Sequence, residues 1–425
     1  MREFKNSGVE WIGSIPADWR TLTIGSLFKV RNEKVNDTDY PPLSVSKGGV
    51  VPQMENVAKS DANDNRKMVL VNDFVINSRS DRKQSCGVSS MEGSVSLINT
   101  VLYLTEESPI LPQYLNYLMK NYGFAEEFYR WGHGIVADLW TTRWQEMKSI
   151  ILPIPSKQEQ ECILNEINEK THNVDLLITN VHSQIEKLKS YRQSLITETV
   201  THGLDASVAM KDSHIEWIGN IPQSWKMIRK LSFLTTEGIS YGIVKLFDPD
   251  DINGIKVLRC SDVLEGTICP DNIRTVTQEV SDEYSRTILS GGEVVVNVRG
   301  SLGGCAVVPN EMKGYNIARE VAKITLNDSM HNRYLMYYLL SHCFERYRTI
   351  HLSGSVYVGL NIELLSSCPV PCPSMDEQKD IADYLDTQCS QIDNLISIKQ
   401  QKIDKLNEYK KSLIYEYVTG KKEVQ

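Results

Sequence analysis

A basic excess is what this 425-residue sequence most plainly lacks. Lys and Arg number 46 against 54 Asp and Glu, a formal net charge of -8. Taken alone, that balance speaks against a nucleic-acid partner, because phosphate binding draws on a cationic surface. Cysteine is sparse as well, nine along the whole chain. That excludes a disulfide-built scaffold, and the odd count leaves at least one thiol unpaired, so reduced thiols in a cytoplasmic protein are expected. No apolar run approaches the ~18 residues of a membrane-spanning helix. Met1 to Lys5 (MREFK) lacks the apolar core of a secretory signal. Hydrophobic residues at 41% and charged residues at 24% are ordinary for a globular chain, which rules out disorder and fibrous repeats.

Catalytic motifs are missing too. There is no G-x-x-x-x-G-K-[ST] phosphate loop, no Gly-x-Gly cofactor loop supports a methyltransferase, and His133 between Gly132 and Gly134 lacks an obvious Ser or Cys nucleophile motif. Asp39-Tyr40-Pro41-Pro42 has the wrong order for a methyltransferase motif. Asp271, Glu311 and Lys313 carry too little information to mark a nuclease. Cys368 and Cys372 lack the second ligand pair of a zinc site, so structural thiols are expected. The chain is therefore expected to be no enzyme, with no metal or cofactor of its own.

What the sequence does contain is a duplication. Val9-Glu10-Trp11-Ile12-Gly13-Ser14-Ile15-Pro16-Ala17-Asp18-Trp19 returns as Ile215-Glu216-Trp217-Ile218-Gly219-Asn220-Ile221-Pro222-Gln223-Ser224-Trp225. The paired tryptophans are expected in the core of a domain entrance. A longer match joins Pro155–Thr201 to Pro373–Thr419. Each copy opens on Ser-x-x-Glu (Ser156 and Glu159, Ser374 and Glu377), the capping box of a helix start, followed by a shared Gln160 or Gln378. Neither copy then meets Pro or Gly until Gly203 and Gly420, suited to the left-handed residue after a helix.

Apolar residues within these copies keep a heptad. Ile167, Val174, Val181, Leu188 and Leu195 stand seven apart, with Leu177, Ile178, Ile185 and Tyr191 beside them. The second copy repeats the stripe at Leu385, Ile392, Leu406 and Leu413, interrupted by Lys399. This is a coiled-coil pattern. A helix of about 45 residues spans about 65 Å, and one alone cannot bury its stripe. The fold class expected is α+β: two mixed α/β domains, residues 1–152 and 207–370, separated by two long antiparallel coiled-coil helices at 153–206 and 371–425, with an internal pseudo-twofold.

Strands are predicted at Met68–Val71, Phe74–Ile76 and Val95–Ile98, then at Lys256–Leu258, Val294–Val296 and Ala322–Thr325. Aromatic helices are predicted at Gln113–Leu118 and Arg333–Tyr338. Beyond these marks the two segments differ, as if one frame carried two surfaces. Their loops hold polar recognition chemistry. Arg79, Arg82, Lys83 and Gln84 follow the strand ending at Asn77, and Arg299 follows Asn297 at the matching place. Such side chains suit base edges and phosphates. Lys47, Arg130, His133, Arg143, Lys245, Arg259 and Arg319 complete the candidate DNA-binding set.

The frame E-W-I-G-x-I-P-x-x-W, then P-x-P-S-x-x-E-Q opening a long helix, then L-I-x-E-x-V-T closing it, resembles the specificity subunit of type I restriction–modification enzymes. It occurs twice, across the whole chain; Val200-Thr201-His202-Gly203 differs from Val418-Thr419-Gly420 only at the helix end. The resemblance implies target recognition domains that each read half of a bipartite double-stranded DNA site, and helices that dock two modification (methyltransferase) subunits. It also implies restriction subunits in the complex, and S-adenosylmethionine, ATP and Mg2+ on partners rather than here. Charge then gains a meaning. Lys and Arg stand 17 against 18 Asp and Glu in residues 1–150, and 15 against 18 in residues 212–365. Neither segment is basic, which suits a reader whose partners supply phosphate attraction. A coiled-coil scaffold with two non-DNA ligand domains is the competing reading; it explains the helices and the duplication but not the capped frame.

Overall fold

The structure, a computed structural model, describes residues 2–424 except 54–64, 80–81, 135–139, 226, 245–253, 270, 272 and 353–358. The chain divides into two compact units, Met1–Val181 with Gln401–Gln425, and His182–Gln400. The long helices run Lys157–His202 and Met375–Val418. Each unit thus holds one globular segment, the start of one long helix and the end of the other.

In the first unit, strands β1 (Phe28–Val30), β2 (Phe74–Asn77), β3 (Cys86–Val88) and β4 (Asn99–Leu104) form an antiparallel sheet in the order β3-β2-β4-β1. The two-residue period of a strand decides what β2 buries. Phe74 and Ile76 enter the main core, and Val75 points to a smaller core with Val69, Val95 and Val101. Helices α1 (Pro112–Lys120) and α2 (Tyr122–Arg130) follow. Pro112 stands where a missing N–H costs nothing, and the Asn121 side chain caps α2 by accepting from Phe124 N at 2.9 Å. The long helices are antiparallel here: Tyr417 donates to Glu166 at 3.1 Å, and Lys410 pairs with Asp175 at 2.7 Å.

The second unit repeats the plan. Strands β5 (Ser240–Tyr241), β6 (Val294–Asn297), β7 (Cys305–Val307) and β8 (Val321–Ile324) lie in the order β5-β8-β6-β7, followed by α3 (Asn332–Leu340) and α4 (His342–Leu352). Lys399 donates to Gln184, and Arg192 pairs with Asp393 at 3.2 Å, again antiparallel.

Duplicated polar clamps fix each helix to its unit. Gln160 is fully buried; it accepts from Leu111 N at 2.7 Å and donates to the carbonyls of Pro109 (2.7 Å) and Pro155 (3.0 Å). Gln378, equally buried, accepts from His331 N at 2.7 Å and donates to Ser329 O (3.2 Å) and Pro373 O (3.0 Å). Tyr114 donates its hydroxyl to Val418 O at 3.0 Å, and Tyr334 donates to Val200 O at 3.2 Å. In each unit the aromatic helix therefore holds the last turn of a long helix, where carbonyls lack partners.

Several expectations need correction. The capping boxes are half made: Ser156 and Ser374 accept from Glu159 N (3.2 Å) and Glu377 N (3.3 Å). The carboxylates face elsewhere, Glu159 to Arg2 and Glu377 to the Trp225 indole at 2.8 Å. The predicted strand Val95–Ile98 ends at Val95, and residues 96–98 form an exposed turn before β4. On the helices Ile167, Val174, Val181, Leu385, Ile392 and Leu413 are buried, and Leu188, Leu195 and Leu406 half-buried. Leu177 and Tyr191, expected on the stripe, are about half exposed. The buried line keeps Ile185 from the stripe and adds Ile163, Ile196 and Val200 toward the helix ends, since an undistorted 3.6-residue turn drifts off a strict heptad. Among the described residues no helix is long and apolar enough to cross a membrane.

Candidate nucleic-acid interface

The candidate residues sort by what already holds them. Asn77 and Asn297 end equivalent strands. Asn77 accepts from Arg79 N at 3.0 Å through its side chain, which turns the chain outward. Asn297 does not face a ligand as expected. It is 1% exposed, and its amide donates to the carbonyls of Cys260 (2.9 Å), Val263 (3.0 Å) and Ser301 (3.2 Å). It supports the loop that carries Arg299.

Three cations are engaged inside the fold. Lys83 pairs with Glu126 at 2.7 Å and lies 4.5 Å from the Tyr129 ring. Arg130 pairs with Glu10 at 3.0 Å and with buried Glu127 at 2.8 Å. The second unit has the same bond between helix and entrance motif, Arg346 to Glu216 at 3.0 Å, so Arg130 belongs to the common frame. Arg259 makes a two-pronged pair with the buried carboxylate of Asp262 at 3.0 and 3.2 Å. Gln84 takes a left-handed backbone (φ 65°) and donates to Lys120 O at 3.3 Å. Lys47 is exposed on the tight turn between Leu43–Ser46 and Gly49–Pro52. Arg82 is exposed, and Lys245 lies outside the described residues.

Another group converges. Arg79 bridges to Thr141 by its backbone, and so does His133, whose N–H and C=O both bond Thr141 at 2.9 and 3.0 Å. Arg143, exposed, follows two residues later. Arg79, His133 and Arg143 therefore share one surface of the first unit. In the second unit Arg299 bridges to Gly359 and lies 5.7 Å from the Tyr241 ring. Arg319 is beside it: Val298 N and Arg299 N both donate to Glu320 O. Arg319 itself makes a loose pair with Glu320 at 3.6 Å.

A cleft of about 380 Å³ opens on the surface of Arg143. Its lining adds Asn32, Lys67, Leu97 and Ile98, none of which the sequence reading selected. Lys67 donates to Asn99 O at 2.7 Å, and burial lowers its pKa. The signal that finds these residues is the duplication itself, once strand pairing sets the two halves in register. Cys86, Cys305, Cys343 and Cys368 are buried, and burial raises every one of these thiols, which makes them poor nucleophiles. Among the described residues no group of three or more His, Cys, Asp or Glu is arranged to hold a metal.

Comparison with known proteins fits this geometry. Residues 233–408 match the family model described as the type I restriction modification DNA specificity domain. The type I restriction enzyme MjaVIII specificity subunit of Methanocaldococcus jannaschii is 24% identical over 279 residues, 64% of this chain and 62% of the relative. The chain thus aligns with less than two thirds of that relative's length. A second chain from the same organism, provisionally named the type I restriction enzyme MjaX specificity subunit, is 22% identical over 435 residues, 96% of this chain and 95% of the relative. A solved chain from a type I R-M system has the same fold, with a TM-score of 0.67 at 15% identity over 95% of this chain and 98% of that one. By its duplicated frame and these matches, the chain is similar to the specificity subunits of type I restriction–modification enzymes, with their DNA specificity domain matched over residues 233–408.

Proposed function

We propose that the chain is the sequence-reading subunit of a type I restriction–modification complex. Each globular unit contacts one part of a bipartite, asymmetric DNA site, and the long helices dock two modification subunits, which restriction subunits join. Chemistry belongs to those partners, with S-adenosylmethionine, ATP and Mg2+ bound there. The observation that carries this is a frame repeated down to the buried clamps of Gln160 and Gln378, bearing loops of different chemistry. A protein that read one symmetric site would have no use for two different faces.

Docking in two copies is supported by matched exposed side chains. Leu177 and Leu395, at equivalent places on the two helices, are 49% and 47% exposed; Tyr191 and Tyr409 are 56% and 51% exposed. Apolar side chains repeated in water on a duplicated frame suit one partner bound twice.

The test is to tag the chain, express it with a methyltransferase-type partner, and map genome methylation with and without the gene. Co-purification and a methylated site that depends on the gene are expected. No stable methyltransferase partner and an unchanged methylation map would sink the reading. Exchanging residues 207–370 for those of another family member should alter one part of the site only.

A further inference from the structure

We propose that the positions of Leu97, Ile98 and Arg143 in the first unit, and of Arg319, Glu320 and Asn361 in the second, form the base-contacting face of each unit, and that Leu97 and Ile98 in the first unit and Arg319 in the second select the base met there. This rests on the DNA-reading role above and adds the residues and the base chemistry.

Backbone bonds set the two faces in register. Asn77 pairs with Asn99, and Asn297 pairs with Val321. One residue on, Ser78 N donates to Ile98 O, and Val298 N donates to Glu320 O. Thr142 N donates to Ser78 O, and Leu360 N donates to Val298 O. Leu97 therefore occupies the place of Arg319, Ile98 that of Glu320, and Arg143 that of Asn361. Frame residues around these positions are kept: Asn77 with Asn297, Arg79 with Arg299, Gln160 with Gln378. On this face the side chains change from Leu-Ile to Arg-Glu and from Arg to Asn. A duplicated fold that keeps its supports and changes one surface has changed what that surface meets.

The side chains name what is met. Leu97 and Ile98 are 42% and 37% exposed on a turn where polar residues would be free to stand. They line a cleft with two cations, Lys67 and Arg143, the hydroxyls of Ser78 and Thr100, and no carboxylate among its lining residues. Cations favour phosphate. The apolar pair then needs an apolar partner, and the major-groove edge offers one such group, the C5-methyl of thymine. Arg319 carries the fork that suits the O6 and N7 acceptors of guanine. Its pair with Glu320 is loose and solvent-exposed, and opens readily.

The experiment uses the intact chain with its methyltransferase partner. Methylation maps are made for the wild type, for Leu97→Ser with Ile98→Ser, and for Arg319→Ala, each checked for unchanged thermal unfolding. The first variant should relax a T·A requirement in one part of the site, and Arg319→Ala a G·C requirement in the other. In duplex binding, uracil in place of that thymine removes the methyl. It should weaken the wild type roughly fourfold, the ~0.8 kcal/mol of one buried methyl, and leave the double variant indifferent. Unchanged maps for both variants would overturn the assignment, as would effects in the same half, or equal uracil effects on both proteins. A wild-type complex that methylates without sequence preference would overturn the DNA-reading role itself.

Discussion

Gln160 and Gln378 are uncharged, buried and saturated with hydrogen bonds to main chain far away in sequence. Truncating either to Ala removes the partner of one main-chain N–H and of two carbonyls, at a cost of about 1–3 kcal/mol for each group left buried and unpaired. Denaturant unfolding of each variant should show that loss, and a loss under 0.5 kcal/mol by the same measure of tolerance used for surface sites would deny the clamp. His331 adds a pH effect. Burial, seconded by Arg333 and Lys379, lowers its pKa, against the opposing pull of Asp383 and Asp386. The unfolded histidine then binds a proton at higher pH than the folded one. The second unit should lose stability as pH falls below about 6.5 and keep it in full above. His331→Gln should flatten that slope in melts taken from pH 5 to 8. At this scale the sequence is legible where a residue recurs, as the glutamines do. It is not legible for cations whose partners are remote: Glu10 lies 120 positions from Arg130, and Glu126 lies 43 from Lys83. Asn297 shows the same limit, since only the fold reveals that its amide is already used.

The elements were easier to foresee than their faces. Ser-x-x-Glu and Gly bracketed both long helices to within a few residues of Lys157–His202 and Met375–Val418. Which side of each helix is buried was less legible, because a heptad count ignores the globular segment pressed against the helix end. Leu177 and Tyr191 satisfied the count and stand in solvent. The two terminal glycines separate what repeats from what does not. Both are left-handed, Gly203 at φ 76° and Gly420 at φ 71°. A Cβ on Gly203 would come no nearer than 3.2 Å, to a Glu377 carboxylate oxygen, but one on Gly420 would come within 2.4 Å of Pro16 Cδ. Gly203→Ala should therefore cost about 1–2 kcal/mol, the left-handed penalty alone, and Gly420→Ala clearly more. Equal melting shifts for the two variants would contradict the close approach.

At the scale of the whole molecule, the acidic balance becomes an expectation about binding. With 46 basic against 54 acidic residues, the isolated chain should hold DNA weakly and lose that hold steeply with salt. A salt titration of a labelled duplex, with and without the proposed methyltransferase partner, measures this; tight binding by the chain alone in 0.2 M salt would contradict it. The exchanged helix ends have another consequence, for the order in which the molecule forms. Residues 182–400 are one continuous stretch, complete in themselves. The first unit must wait for Leu413, Tyr417 and Val418, whose side chains lie in its core, and for the Val418 carbonyl that Tyr114 reaches across 304 positions. Loops that long close late. On the ribosome the unit begun first is finished last, and a chain halted at residue 400 should give a protease-resistant second unit joined to a first that is still open to cleavage.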